Sequence, residues 1–168
     1  LYASSHNLML GTSPTEFSPN ITMTRGMLVT VLYRMNGSPS VSGKTPFTDV
    51  RTDEWYSAAV LWAYQNGIVT GMSDTTFAPI NNVTREQMAT ILFRYTKTAA
   101  PDKAKASADL SGFADAGSVN DWAVDAMRWA VGQKLIAGIT LEQSVYLQPR
   151  GNATRAQAAT VLTRYYAQ

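Results

Sequence analysis

The chain has 168 residues, of which 45% are hydrophobic, and a net charge of +2 from 14 basic and 12 acidic side chains. This length can bury a hydrophobic core, whereas the slight and scattered positive charge excludes an extended nucleic-acid-binding surface. The absence of cysteine excludes disulfides and cysteine metal sites, and no apolar run approaches the ~20 residues of a membrane-spanning helix, so we expect no membrane insertion.

Residues 1–37 contain the C-terminal half of a pattern that recurs twice further along the chain. In this first repeat Thr24-Arg25 begins a predicted helix. Residues 1–3 align by an offset of 60 with residues 61–63, in the middle of a predicted helix of the next repeat. Since the chain also begins without Met or a signal sequence, we interpret it as a portion of a longer protein. The apolar stripe predicted for the helix is Leu28, Val31, Leu32 and Met35.

Residues 46–98 form the second repeat, which is the most complete of the three. Its first predicted helix begins after the N-cap Asp53 and ends at Asn66-Gly67, a pair suited to a left-handed C-terminal cap. After a turn-rich segment, Thr84 begins a second helix, and Gln87 completes a capping box. The residues that recur at amphipathic spacing in the first helix are Trp55, Ala58, Ala59, Trp62 and Ala63. The buried stripe predicted for the second helix is Met88, Ile91, Leu92 and Tyr95.

Residues 99–111 are predicted to be a linker, and residues 112–168 form the third repeat. Thr154 and Gln157 predict the same capping box as in the second repeat. Units of two helices joined by a long turn, each too small to fold alone, indicate an all-α protein in which the repeats share one core. The equivalent residues of the third repeat are Trp122, Ala126, Trp129 and Ala130 in its first helix, followed by Ala158, Val161, Leu162 and Tyr165 in its second.

A cation follows the N-cap Thr of every repeat, at Arg25, Arg85 and Arg155. The N-terminus of a helix already carries partial positive charge, so an arginine there is unfavourable unless an acceptor or an anion lies nearby. For a single arginine, a solvated surface charge or a pair with a carboxylate is the ordinary alternative. Recurrence at this position favours an anion held jointly by the guanidinium groups and the helix N–H groups.

Other recurring side chains have two interpretations. Trp62 and Trp129 lie on apolar helix faces and are predicted to be core. Trp55 and Trp122, at helix starts, either pack or offer a platform for a sugar ring. Asp74 either stabilises its turn or accepts hydrogen bonds from hydroxyl groups. A further set of arginines lies nine residues after the first set and is predicted to complement helix ends: Arg34, Arg94 and Arg164.

The residue inventory does not favour an enzyme. His6 is the only histidine, and the offset of 60 aligns it with Asn66, so a histidine-based nucleophilic or metal site is not expected. A glycosidase pair would need carboxylates such as Asp49, Asp53 and Glu54, but Asp49 and Asp53 suit turn and cap roles. We predict no catalytic residue and no cofactor or metal site. If the parent protein is an enzyme, its chemistry lies in another domain.

Together these elements resemble the S-layer homology domain. The resemblance covers nearly all of the chain, as one partial and two full copies. It is carried by Phe47-x-Asp49-Val50, by Asn66-Gly67-Ile68-Val69-x-Gly71, by Phe77-x-Pro79 and by Thr84-Arg85-Glu86-Gln87-Met88-Ala89.

The resemblance implies three repeats about a pseudo-threefold axis, with a three-helix core and projecting prongs. It also implies an extracellular protein of the bacterial cell surface, attached noncovalently to a cell-wall polysaccharide or a peptidoglycan-linked glycan. The ligand in the family is typically an acidic secondary wall polymer with pyruvate ketals, bound in grooves between prongs and engaged by the arginine of the Thr-Arg motif. The resemblance and the residue pattern both predict that Arg25, Arg85 and Arg155 bind the glycan. The residue pattern alone adds the candidates Trp55, Trp122 and Asp74.

The chain departs from the family where a Glu is usual two residues after the arginine, since Met27, Gln87 and Gln157 stand there. Met27 cannot complete a capping box. Because half of the first repeat is absent, we expect Leu28 and Leu32 to be less well covered than their equivalents. We also expect the groove between the second and third repeats to be the best candidate site.

Our hypothesis from the sequence is therefore a noncatalytic wall-anchoring module. The alternative is a scaffold for protein interaction or surface assembly, which includes self-association. A hydrolase acting on wall glycan is a third interpretation, which the residues favour least.

Overall fold

A computed structural model of the chain describes residue 9, residues 18–105 and residues 107–167. The predictions for residues 1–3 and for His6 lie outside the described residues. The described part is mostly helical, and its longer helices alternate with extended turns. The α-helices are α1 (Arg25–Met35), α2 (Ser57–Gln65), α3 (Arg85–Ala99), α4 (Val124–Gly132) and α5 (Arg155–Tyr166), and short 3₁₀ helices span Pro101–Ala104, Ala116–Ser118 and Asp121–Ala123.

The starts of α1, α3 and α5 are capped as the sequence predicts. In α3, Thr84 Oγ1 accepts the Gln87 N–H at 3.2 Å, and Gln87 Oε1 accepts the Thr84 N–H at 3.2 Å. Thr154 and Gln157 form the same capping box at the start of α5. Thr24 accepts only the Met27 N–H, because Met27 has no oxygen to return the bond.

The first helices of the second and third repeats begin later than predicted. Asp53 does not cap α2, which starts at Ser57 after an N-cap residue without a side-chain hydrogen bond. The Asp53 carboxylate instead accepts two hydrogen bonds from the Arg51 guanidinium, at 2.8 and 3.1 Å on the surface. The predicted end of α2 is confirmed, since Asn66 is its C-cap and Gly67 has a φ of 67°.

One hydrophobic core joins the repeats, and most predicted stripe residues belong to it. Trp62 and Trp129 are buried, as predicted. The prediction that Leu28 and Leu32 are poorly covered is wrong, because they are 1% and 0% exposed. Helix α1 packs against α2, with the Tyr33 and Trp62 rings 5.7 Å apart, so the second repeat covers this face of the first.

The all-α prediction is wrong in one segment of the third repeat. Ile139–Leu141 (β1) and Ser144–Tyr146 (β2) form an antiparallel hairpin in which Thr140 pairs with Val145. Gly138 to Arg155 spans 17 positions, whereas the equivalent Gly71 to Arg85 spans 14. The three additional residues and the β-branched side chains of Ile139, Thr140 and Val145 allow the turn to extend into two short strands.

A closed cycle of backbone hydrogen bonds links the three repeats. The Met23 N–H donates to Ala153 O at 2.8 Å, the Val83 N–H donates to Met23 O at 2.8 Å, and the Ala153 N–H donates to Val83 O at 2.9 Å. Each repeat therefore donates to one neighbour and accepts from the other. All three residues are fully buried, so these polar groups are paired away from water.

The turn before each Thr-Arg helix contains a non-glycine residue with positive φ. Ser18, Ala78 and Gln148, related by the repeat offsets, have φ values of 49°, 58° and 50°. In the second repeat the Asp49 carboxylate accepts the N–H groups of Phe77 and Ala78 at 2.9 and 2.7 Å. The turn role predicted for Asp49 is thereby confirmed, and its carboxylate offsets the cost of a left-handed backbone.

Replacement of Ala78 by glycine should stabilise the protein. Removing the Cβ relieves about 1–2 kcal/mol of left-handed strain, and glycine costs about 0.5–1 kcal/mol of additional chain entropy, so we expect a net gain of about 0.5–1 kcal/mol. Urea denaturation followed by circular dichroism measures the change. The control is Ala159→Gly in the middle of α5, which should cost about 1 kcal/mol. Equal signs for the two variants would contradict the strain argument.

Asp115 makes the same contacts in the third repeat, because its carboxylate accepts the N–H groups of Leu147 and Gln148, each at 2.7 Å. Asp115→Asn keeps the size but leaves one N–H facing an amide N–H, so we expect a loss of about 2 kcal/mol of unfolding free energy. Thermal denaturation measures it. The surface control Asp125→Asn should change stability by no more than about 0.5 kcal/mol, and a similarly small effect of Asp115→Asn would contradict the proposed role.

Candidate functional site

The N–H groups at the starts of α1, α3 and α5 are already occupied. In α1 the Arg25 N–H donates to Asn81 O at 2.9 Å, and the Gly26 N–H donates to Pro79 O at 2.8 Å. The prediction that helix N–H groups share an anion with the arginines is therefore wrong, because carbonyl groups of the next repeat take their place. The equivalent bonds run from Arg85 to Gly151, from Glu86 to Pro149, from Arg155 to Ile21 and from Ala156 to Pro19.

Arg25 reaches out of α1 into the turn of the second repeat. It is 5% exposed, its Nε donates to Phe77 O at 2.8 Å, and its guanidinium carbon lies 4.7 Å from the centroid of the Phe77 ring. Burial lowers the pKa of Arg25 to about 10, and the charge of Asp49 partly opposes this shift. The cation is thus desolvated but still charged at neutral pH.

The guanidinium of Arg25 keeps unused donors. Its two Nη atoms have no hydrogen-bond partner among the described residues, and neither is sealed from solvent. Within the described part of the chain the ion pairs are Arg51 with Asp53 and Lys105 with Asp102, both on the surface. Arg25 therefore has no carboxylate partner in that part of the chain, although a buried guanidinium binds one strongly.

Arg85 occupies the equivalent position between the second and third repeats. It is 6% exposed, with its Nε donating to Leu147 O at 2.7 Å and its Nη2 to Ala137 O at 3.1 Å. Arg155 is 5% exposed, and burial lowers the pKa of both side chains. These burials exclude the interpretation that the three arginines are solvated surface charges.

Two equivalent grooves lie beside Arg25 and Arg85. The first groove has a volume of about 320 Å³, and its lining includes Arg25, Thr70, Gln87, Thr90, Arg94 and Trp122. The second groove has a volume of about 270 Å³, and its lining includes Arg85, Ala137, Gln157, Thr160, Val161 and Arg164. Each groove therefore combines the arginine of one repeat with the long turn and second helix of the next.

The sequence interpretation did not place Arg94 and Arg164 in the grooves. The predicted helix-end position is confirmed for Arg34 and Arg164, which lie in the last turns of α1 and α5, and is wrong for Arg94, which lies five residues before the last residue of α3. Arg94 and Arg164 each line a groove together with an arginine of the first set. Arg94 Nη1 donates to Thr70 Oγ1 at 3.3 Å, and Arg164 Nη1 donates to Leu135 O at 3.1 Å. The constant nine-residue spacing between the two sets of arginines was the sequence signal that could have indicated this placement, because Arg94 and Arg164 occupy equivalent positions in the two grooves.

The other predicted site residues fall at different places. Trp122 is 54% exposed and lines the first groove. Trp55 is 57% exposed and lies edge-on against Tyr56, and Asp74 is exposed in the turn after Met72. Neither Trp55 nor Asp74 belongs to the lining of the two grooves.

The part of the chain that the structure describes contains no cluster of side chains able to hold a metal ion. No helix there is both long and apolar enough to span a bilayer. The glycosidase pair considered from the sequence is not assembled, because Asp49 accepts backbone N–H groups and Asp53 pairs with Arg51 on the surface. The grooves themselves place arginine donors beside apolar and hydroxyl-bearing side chains.

Comparison with known proteins agrees with this architecture. The family model of the S-layer homology domain matches residues 46–89 and 112–159, which together make up more than half of the chain. The chain is 34% identical over 156 residues to an endoglucanase of Bacillus sp. (strain KSM-635), covering 93% of this chain and 16% of that protein. It is 32% identical over 154 residues to the surface-layer 125 kDa protein of Lysinibacillus sphaericus, covering 92% of this chain and 12% of that protein.

Among solved structures, the undecaheme cytochrome from the S-layer of Carboxydothermus ferrireducens is similar over 98% of this chain and 23% of that chain, with 20% identity and a TM-score of 0.46. The chain spans less than a fifth of the length of the endoglucanase and the surface-layer protein, so the enzyme name of one relative does not transfer an activity to it. The family match and the surface-layer relatives indicate a location outside the cell. The chain therefore belongs to the S-layer homology domain family and is an extracellular module of the bacterial cell surface.

Proposed function

We propose that this module anchors its parent protein to the cell wall by binding an acidic secondary wall polysaccharide in the grooves between repeats, without catalysis. The observation that carries the proposal is the state of Arg25. Its guanidinium is buried, still charged, and has no carboxylate partner in the described part of the chain. A carboxylate entering the first groove would supply that partner.

The groove chemistry favours an acidic sugar over a simple anion. Two arginines offer planar donor groups for a carboxylate, while the exposed Thr70 lies beside them as a hydrogen-bonding group for sugar hydroxyls. A pyruvate ketal on the polymer would place its carboxylate on the sugar ring itself. Because the polymer repeats and the module has two described grooves, simultaneous binding would add avidity to a modest affinity at each groove.

The proposal includes an arrangement of the repeats about a pseudo-threefold axis, with α1, α3 and α5 as a central three-helix core. The cyclic hydrogen bonds among Met23, Val83 and Ala153 support it, because each repeat makes the same donor and acceptor contact with its neighbours. Arg155, Trp55 and Asp74 remain predicted glycan ligands, and we assign them to neither described groove.

A protein-interaction scaffold is the second candidate, and exposed apolar side chains favour it. Trp55 is 57% exposed, Met72 is 56% exposed and Ile80 is 75% exposed. Exposed apolar side chains mark a contact surface where they form a contiguous patch. Self-association would depend on protein concentration in light scattering, whereas polysaccharide binding would persist in a monomer.

Blocking the acid groups of the polymer should abolish most of the binding. We expect the module to sediment with purified wall sacculi and to bind soluble wall polysaccharide in titration calorimetry. Amidation of the polymer carboxylates should lower affinity at least about tenfold, because each arginine then loses a charge-assisted hydrogen bond. Equal binding to native and amidated polymer would rule out recognition of the acid group.

A charge-matched pair of double variants tests the grooves without altering the buried arginines. Arg94→Gln with Arg164→Gln removes one cation from each groove and should weaken binding at least about tenfold. Arg51→Gln with Lys105→Gln removes the same charge from surface ion pairs and should change affinity by less than about twofold. Similar losses in both, with circular dichroism unchanged, would indicate nonspecific electrostatic attraction instead.

The lowered pKa of Arg25 predicts a pH limit for binding. Only the charged guanidinium binds an anion, so affinity should be constant near neutral pH and fall as the pH rises through about 10, the pKa of Arg25. A bound carboxylate raises this pKa, so the fall should approach tenfold per pH unit above it. Calorimetry at several pH values measures the profile, with circular dichroism confirming the fold. A flat profile through pH 11 would contradict a role for Arg25.

A further inference from the structure

The two described grooves differ in how far their arginines are already satisfied. Arg25 makes one hydrogen bond, from Nε, among the described residues, whereas Arg85 also donates from Nη2 to Ala137 O. Arg94 donates to the hydroxyl of Thr70 at 3.3 Å, and this hydroxyl group can rotate away. Arg164 donates to a backbone carbonyl that is fixed in place. The first groove therefore keeps more donor capacity for a ligand.

The aromatic lining also differs between the grooves. Trp122, from the third repeat, lines the first groove with its indole more than half exposed. The described residues that line the second groove include no aromatic side chain. The first groove is thus built from all three repeats and has a flat apolar wall on which a sugar ring can stack.

Glu86 holds this third-repeat wall against the second repeat. The side chain is 2% exposed, and its carboxylate accepts both the backbone N–H of Asn120 at 3.1 Å and the Asn120 side-chain amide. Asn120 lies two residues before Trp122. At the equivalent positions Gly26 and Ala156 have no carboxylate, so neither of the other repeats can make this contact.

Resting on the proposed function, we infer that the first groove is the principal site for the acidic sugar and that the second is a weak site. The carboxylate lies between Arg25 and Arg94, and the sugar ring stacks on Trp122. Glu86 is a positioning residue, because it acts through Asn120 and the turn that carries Trp122. This assignment differs from the sequence prediction, which favoured the groove between the second and third repeats.

Single variants at equivalent positions separate the grooves. Arg94→Gln should lower affinity for soluble wall polysaccharide at least about tenfold, whereas Arg164→Gln should lower it less than about threefold. Both remove one positive charge from the same position of their helices, so long-range electrostatic effects are matched. A loss for Arg164→Gln that equals or exceeds the loss for Arg94→Gln would overturn the assignment while leaving the anchoring function intact. Failure of the unmodified chain to bind the polymer would overturn both.

Trp122 gives a second comparison that does not depend on charge. Trp122→Ala should weaken binding about fivefold through loss of stacking. Ile80→Ala, at an apolar side chain that is 75% exposed and lines neither groove, should leave binding unchanged. Glu86→Ala should weaken binding in the native background but add nothing in the Trp122→Ala background, because it acts through that side chain. Additive losses would show that Glu86 does not position Trp122. Equal effects of Trp122→Ala and Ile80→Ala would overturn the stacking role.

Discussion

The cycle of backbone hydrogen bonds among the three repeats is the constraint on which the rest of the molecule depends. It joins Met23, Val83 and Ala153, immediately before the capping threonines, and all three residues are fully buried. A buried N–H or carbonyl without a partner is costly, so each repeat needs both neighbours to satisfy its own backbone. The same contacts set the spacing of the grooves, because each groove lies between two repeats that the cycle holds together.

The arginine after each capping threonine stabilises the contact between repeats, whether or not a ligand is bound. Arg25 and Arg85 each donate from Nε to a carbonyl of the next repeat's turn, and an aspartate in that repeat accepts the N–H groups of the same turn. The helix end, the turn and the carboxylate thus form one polar unit inside an apolar interface. Its guanidinium remains desolvated and only partly satisfied, and these are the properties that an anion-binding site needs.

Repetition of the pattern does not make the repeats equivalent. Residues two places after the capping threonine differ, as Gly26, Glu86 and Ala156, and only the glutamate reaches Asn120 of the following repeat. In the third repeat the turn is three residues longer than in the second repeat, and it forms a β-hairpin. Such differences alter the groove walls while the backbone cycle stays the same, so one architecture can carry grooves of unequal affinity.

The sequence by itself determined the starts of α1, α3 and α5, the capping boxes of Thr84 and Thr154, the Asn66 C-cap and most of the buried stripes, because these depend on neighbours within a few residues. It also determined the family, through motifs that recur at offsets. Only the tertiary structure decided which groups surround Arg25, since the carbonyls of Phe77 and Pro79 lie more than 50 residues away along the chain. Local patterns fix local hydrogen bonds, whereas groove walls and occupied helix ends arise from contacts between repeats.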